Sequence, residues 1–146
     1  MRKPRQVFTL FGLFLLTTTL SSSLALAAQT VHVDLLDNND GSMAIATNVK
    51  SVPAGKVTFD VTNKSNDVEH EFLVAQLSEA PADVPYDESK GVVREGALKG
   101  VKELGDLQPG SSGTMTLNLK TGKYLLFCNM PGHYKDGMYH VLTVTQ

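Results

Sequence analysis

Most of the chain beyond residue 30 alternates apolar and polar residues with the two-residue period of a β-strand. In residues 68–77 both parities contain apolar residues, so we expect both faces of that strand to be covered. Clusters of Gly, Asn, Asp and Pro separate the runs and are typical of turns. The predicted strands cover residues 31–36, 43–49, 57–62, 68–77, 114–119, 124–128 and 139–145.

Residues 78–100 interrupt this pattern with prolines and glycines among charged residues. We predict a long loop there, with a short helical turn near residues 92–98. Seven or eight short strands without an amphipathic helix indicate an all-β fold. The expected architecture is a Greek-key β-sandwich with one long loop.

The N-terminal segment follows a different pattern. Three basic residues among the first five precede an apolar run at residues 7–20, and the small residues Ala25 and Ala27 follow. This order predicts a secretory signal peptide cleaved after Ala27. A membrane anchor is the alternative, but the run is shorter than the roughly 20 residues that a bilayer requires. We therefore predict a signal peptide at residues 1–27 and one soluble domain at residues 28–146, exported to the periplasm.

Charge excludes one class of function. The signal segment carries three of the thirteen basic residues and none of the fifteen acidic ones, so the formal net charge after cleavage is −5. The lysines are scattered, and no stripe of basic and aromatic residues indicates nucleic-acid binding. A modest negative charge fits a protein that meets its partners transiently, and we expect a monomer.

Cys128 is the only cysteine of the chain. Exported proteins normally pair their cysteines in disulfides, so a single thiol in an oxidising compartment requires an explanation. One explanation is an inert, buried thiol that packs as a small apolar residue. The other is a metal ligand, and the neighbouring residues favour it.

Between the last two predicted strands, Cys128, His133 and Met138 follow each other at intervals of five residues. Thiolate, imidazole and thioether ligands select copper, and two histidines, one cysteine and a weak axial methionine form the electron-transfer type of site. His70, in the strand at residues 68–77, supplies the second histidine. Zinc is the main competitor, but methionine is not among its usual ligands.

These residues resemble the cupredoxin family, the small blue-copper proteins that include plastocyanin, azurin, sulfocyanin and rusticyanin. The resemblance rests on the segment from Cys128 to Met138, the upstream histidine His70 and the closing strand, and it covers nearly all of residues 28–146. The spacing within the ligand loop is similar to that of rusticyanin and sulfocyanin, whose loops are longer than those of plastocyanin and azurin.

The resemblance implies a single type 1 copper ion that cycles between Cu(I) and Cu(II). It also implies a carrier of single electrons between redox partners in the cell envelope, such as a cytochrome or a copper oxidase. His133 would then be the exposed exit for electrons. An enzyme is not expected, because multicopper oxidases and nitrite reductases need further histidine pairs, and a binuclear copper centre would need a second cysteine.

Copper or silver tolerance is the alternative function. Met130 and His140 lie in or just after the ligand loop and are candidates for additional Cu(I) or Ag(I) binding. His140 shares a parity with Met138, although a structural role for it is the stronger expectation. Met43 and Met115 are expected in the core.

Glu69 and Glu71 flank His70, where plastocyanin and azurin carry an asparagine beside the first histidine. Ionised carboxylates there would lower the reduction potential, whereas the alternative is two solvated side chains on an edge. His32 is predicted to be a surface histidine. Tyr134 is predicted to be an aromatic lid or a surface residue rather than a redox relay.

Overall fold

The computed structural model describes residues 28–38 and 40–146, so the predicted signal peptide at residues 1–27 lies outside the described residues. Eleven strands and two short 3-10 helices make up the regular structure of the described part. The strands are β1 (Gln29–Asp37), β2 (Met43–Thr47), β3 (Ser51–Pro53), β4 (Gly55–Asn63), β5 (His70–Leu77), β6 (Tyr86–Asp87), β7 (Val92–Val93), β8 (Lys99–Leu107), β9 (Ser112–Leu119), β10 (Gly122–Phe127) and β11 (Tyr139–Thr145). The 3-10 helices are Pro81–Asp83 and Glu95–Ala97.

Two sheets form the sandwich. The four-stranded sheet has the order β2-β1-β4-β9, and the five-stranded sheet has the order β3-β11-β10-β5-β8. Strand β1 runs parallel to β4, and β10 lies antiparallel between β5 and β11. This crossing of chain order between the sheets is the Greek-key arrangement, so the predicted fold class is confirmed.

The core lies between the two sheets and follows the alternation in the sequence. Val31, Val33 and Leu35 of β1 point inward and are almost completely buried. Phe59 of β4 meets Phe72 of β5 across the interface, with ring centroids 5.7 Å apart. Each such side chain contributes about 1.5–3 kcal/mol through burial, so alternation fixes which face of each strand turns inward.

A second apolar layer covers the outer face of the five-stranded sheet. Leu73 of β5 and Leu125 and Phe127 of β10 pack there against Val93 and Tyr134. Both faces of β5 are therefore buried, as its sequence predicted. The segment at residues 78–100 forms most of this cover, through the buried Val84 and the β6–β7 hairpin.

The structure corrects the prediction for residues 78–107. The expected helical turn near residues 92–98 is the 3-10 helix Glu95–Ala97, but the rest of the segment is more ordered than a loop. Strand β8 was missed, because its glycines and charged residues hide any alternation. It forms the edge of its sheet and pairs only with β5. Charged side chains on an edge strand hinder its pairing with other chains, which explains the composition of β8.

Among the described residues, none of the helices has the length and apolar character needed to cross a membrane.

Candidate metal centre

The ligand loop, residues 128–138, joins β10 to β11 at one end of the sandwich. Its two ends are held together, because the Cys128 N–H donates to the Met138 carbonyl oxygen at 3.1 Å. Within it, the Met138 N–H donates to the His133 carbonyl oxygen at 2.9 Å. Gly132 and Gly137 adopt φ values of +89° and +102°, which glycine tolerates best. The loop therefore turns twice and returns each candidate ligand to the same end of the core.

Three donor groups converge there. The Nδ1 atoms of His70 and His133 lie 3.3 Å apart, and the Cys128 Sγ lies 3.4 Å from the His133 Nδ1. One ligand atom from each of these residues fits within 4.8 Å of the others. The alternation of side chains along a strand explains these positions. His70 lies on the same inward-facing side of β5 as Phe72, and Cys128 lies on the same side as Leu126 of β10.

Met138 belongs to the same part of the core. Its side chain is fully buried and packs in the cluster that contains Cys128. The chemistry of this donor set fits copper, since one thiol, two imidazole Nδ1 atoms and a neighbouring thioether are the groups of an electron-transfer copper site.

The protonation of the donors depends chiefly on burial. Burial lowers the pKa of His70 and of His133, so both imidazoles are neutral at physiological pH and can act as ligands. Burial also raises the pKa of the Cys128 thiol to about 11, so the metal-free protein holds a thiol rather than a thiolate. The Glu71 backbone N–H lies 3.3 Å from Sγ, where it would stabilise a thiolate that formed on metal binding.

The comparison with known families agrees with this geometry. The sulfocyanin (SoxE) domain family matches residues 17–146. This chain belongs to that family. Sulfocyanins are cupredoxins, blue-copper proteins that bind one copper ion and generally transfer single electrons.

Solved structures support the same placement. The chain is similar to auracyanin from Roseiflexus castenholzii, with 25% identity, a TM-score of 0.59, and coverage of 82% of this chain and 99% of that one. It is also similar to auracyanin B, with 26% identity, a TM-score of 0.56, and coverage of 82% and 90%. Rusticyanin from Thiobacillus ferrooxidans shares the fold at 22% identity, with a TM-score of 0.51 and coverage of 81% and 79%. None of the curated protein sequences matches the chain significantly.

In this cupredoxin, the asparagine that follows Cys128 attaches the loop to the outer apolar layer. The Asn129 Oδ1 accepts a hydrogen bond from the Val93 N–H at 2.7 Å, and its Nδ2 donates to the Val93 carbonyl oxygen and to Glu95. The Gly132 N–H also donates to the Gly91 carbonyl oxygen at 2.8 Å. The segment at residues 78–100 therefore holds the ligand loop in place, a contact that no local sequence pattern predicts.

The two glutamates beside His70 differ in their surroundings. Glu69 is partly exposed and accepts a hydrogen bond from Gln108 at the surface. Glu71 is half-buried, and burial followed by repulsion from Glu103, Asp106 and Glu95 raises its pKa to about 7. Glu71 is therefore not a fully solvated carboxylate, and its charge is only partly developed at neutral pH. The expected lowering of the reduction potential stays a prediction.

The remaining candidates lie outside the donor group. His32 is exposed and pairs with Asp60 at 3.1 Å, which confirms it as a surface histidine. The His140 Nε2 lies 3.1 Å from the Thr47 hydroxyl. Met130 is partly buried against the core, as are Met43 and Met115.

Tyr134 is buried rather than on the surface, so that part of its prediction was wrong. Its ring stacks on Tyr139, with centroids 5.0 Å apart, and meets Phe127 edge-on. Its hydroxyl donates to the Pro81 carbonyl oxygen at 2.7 Å. Tyr134 thus attaches the ligand loop to the outer apolar layer. Its burial could not be predicted, because an irregular loop has no alternating pattern of buried and exposed residues.

Proposed function

We propose that this cupredoxin carries single electrons between redox partners, with His70, Cys128, His133 and Met138 as the ligands of one copper ion. The observation that carries the proposal is the convergence of the histidine and cysteine donors within 4.8 Å at the buried end of the sandwich. The burial of Met138 in the same cluster supports its assignment as the axial ligand.

The chain supplies geometry, and the bound copper supplies the one-electron couple. Two of the donors belong to packed parts of the sandwich, because His70 begins β5 and Cys128 directly follows β10. Rigid neighbours restrict the movement of the donors, so little reorganisation is expected to accompany electron transfer. His70 is fully buried whereas His133 is only partly buried, which supports His133 as the exit for electrons.

The cellular setting belongs to the same proposal. The N-terminal pattern supports removal of residues 1–27 as a signal peptide and action of residues 28–146 in the periplasm as a monomer. Transient partners such as a cytochrome or a copper oxidase fit an electron carrier. We propose no enzymatic activity and no nucleic-acid partner.

The direct test is the visible spectrum of the copper-loaded protein. We expect an intense absorption from thiolate-to-Cu(II) charge transfer that Cys128→Ser abolishes, because serine cannot supply the sulfur orbital. His32→Gln, on an exposed histidine outside the donor group, is the control and should retain the absorption. Retention of the band in Cys128→Ser would contradict the assignment.

Copper or silver handling is the competing function. It draws on Met130 and His140, but His140 already contacts Thr47 and Met130 packs on the core. Stoichiometry separates the two functions: an electron carrier binds one copper per chain, whereas a handling protein binds further Cu(I) equivalents that Met130→Leu or His140→Gln removes.

A further inference from the structure

Asp37 lies directly behind the first histidine of the site. It ends β1 in the four-stranded sheet, and His70 begins β5 in the five-stranded sheet. The Asp37 Oδ1 and the His70 Nε2 are 2.9 Å apart, while the Nδ1 of the same ring faces His133. Since a carboxylate accepts hydrogen bonds, this contact places the ring proton on Nε2 and leaves the Nδ1 lone pair free for a metal.

A polar network holds the Asp37 carboxylate in this orientation. The Ser65 hydroxyl donates to its second oxygen, and the Val68 N–H in turn donates to the Ser65 Oγ at 2.9 Å. The Asn63 side chain accepts from the Ser65 N–H and donates to the carbonyl oxygens of Val68 and Leu107. Both carboxylate oxygens therefore have fixed partners, which favours one position of the group relative to the imidazole.

Burial strengthens the electrostatic interaction between Asp37 and His70. The His70 side chain is completely buried, and the Asp37 side chain is only 24% exposed. Water therefore screens the pair less than it would screen a surface pair. Among the described residues, no carboxylate hydrogen-bonds His133, so the two histidines of the site have different environments.

We propose that Asp37 is a positioning residue that fixes His70 as an Nδ1 ligand and increases its donor strength, thereby favouring the oxidised state of the site. A negative charge that accepts the Nε2 proton makes the opposite ring nitrogen more basic. A more basic ligand stabilises Cu(II) more than Cu(I). The inference rests on the proposed copper ligation by His70, and it assigns Asp37 a role in setting the reduction potential.

The test compares reduction potentials of Asp37→Asn and Asp34→Asn. Asparagine keeps the size and an acceptor oxygen but removes the charge. We expect Asp37→Asn to lower the affinity for Cu(II) relative to Cu(I) about tenfold, which is a rise of about 59 mV for one electron. Asp34 lies on the same strand with an exposed side chain near Lys64, so Asp34→Asn removes the same charge without the contact. It should change the potential far less.

The outcomes separate this inference from the proposed function. Absence of the charge-transfer band in the unsubstituted protein would contradict the copper assignment itself. A normal band in both variants, with no larger rise in potential for Asp37→Asn than for Asp34→Asn, would overturn the role of Asp37 alone.

A second measurement needs no substitution and covers the case in which Asp37→Asn fails to fold. In the Cu(I) protein labelled with ¹⁵N, the His70 ring should show a single Nε2 proton, strongly deshielded and slow to exchange with water. A ring protonated on Nδ1, or an Nε2 proton that exchanges as rapidly as that of free imidazole, would refute the proposal.

Discussion

Gly137 directly precedes Met138 in the ligand loop, and the local backbone suits only glycine. Its φ is +102°, and a Cβ added there would lie 2.8 Å from the Met43 carbonyl oxygen. We expect Gly137→Ala to lower the free energy of unfolding by about 2 kcal/mol or more, because positive φ costs about 1–2 kcal/mol and the contact adds to it. Denaturant unfolding of the metal-free protein measures the change.

Gly110→Ala provides the matched control for this substitution. Gly110 also has a positive φ, +73°, but no atom lies within 4 Å of an added Cβ. It should therefore show the backbone cost alone. Equal losses in the two variants would mean that the approach of Gly137 to Met43 contributes nothing, and the ligand loop would then have more room than the structure indicates.

Single residues also show what the sequence could and could not predict about the site. Three of the four candidate ligands were recognisable because thiol, imidazole and thioether groups recur at even spacing before the last strand. His70 was recognisable only as a histidine in an upstream strand that could complete the set. The first predicted strand ended at residue 36 and so left out Asp37, although Asp37 lies on the same inward-facing side of β1 as Val31, Val33 and Leu35. Its contact with His70 depends on how the two sheets face each other across 33 residues of sequence, which no local pattern contains.

At the level of elements, the pairing of β5 with β8 concentrates negative charge. Glu71 of β5 lies opposite Asp106 of β8 and near Glu103, and burial followed by repulsion from these carboxylates raises its pKa from 4.5 to about 7. Between these two values the unfolded chain has lost this proton while the folded chain retains it. Stability of the metal-free protein should therefore fall as pH rises from about 4.5 to 7.

Glu71→Gln removes this pH dependence. We expect the variant to be more stable than the unsubstituted protein at pH 8, by on the order of 1 kcal/mol, since solvent screens a half-exposed group. The advantage should disappear near pH 4, where Glu71 is protonated in both states. Unfolding curves of the metal-free proteins at the two pH values provide the measurement. Glu79→Gln, at an exposed position beyond the end of β5, should show no such difference.

The same strand pair shows why prediction succeeded for some elements and failed for others. Strand β4 buries one face, so its alternation of Val57, Phe59 and Val61 with polar residues was visible. Strand β8 is an edge with mostly exposed side chains, and Gly100 and Gly105 interrupt it. It pairs with β5 along its length but has only one buried residue, Leu107, so burial leaves no regular alternation in its sequence.

At the scale of the whole molecule, the donor group is an extension of the core. Cys128 and Met138 pack in the same cluster as Phe59 and Phe72, and the other buried members of the cluster are hydrophobic residues. The fold therefore does not depend on the metal for its hydrophobic stabilisation. Copper is expected to add stability to a sandwich that is already formed, in contrast to small metal domains that unfold without their ion.

The stabilisation by copper should depend on pH, because copper binding displaces the proton of the Cys128 thiol. The metal-free protein holds the Cys128 thiol with a pKa of about 11, and the neighbouring histidines are neutral, so binding of Cu(II) releases one proton from the sulfur. At a fixed free Cu(II) concentration, affinity should rise about tenfold per pH unit between about pH 7 and 9. The increase in the free energy of unfolding caused by copper should then grow by about 1.4 kcal/mol per pH unit.

Unfolding curves with and without copper at each pH measure this increment. Cys128→Ser is the control, because it has no thiol proton to release. An increment independent of pH in the unsubstituted protein would mean that Cys128 is already a thiolate before the metal binds.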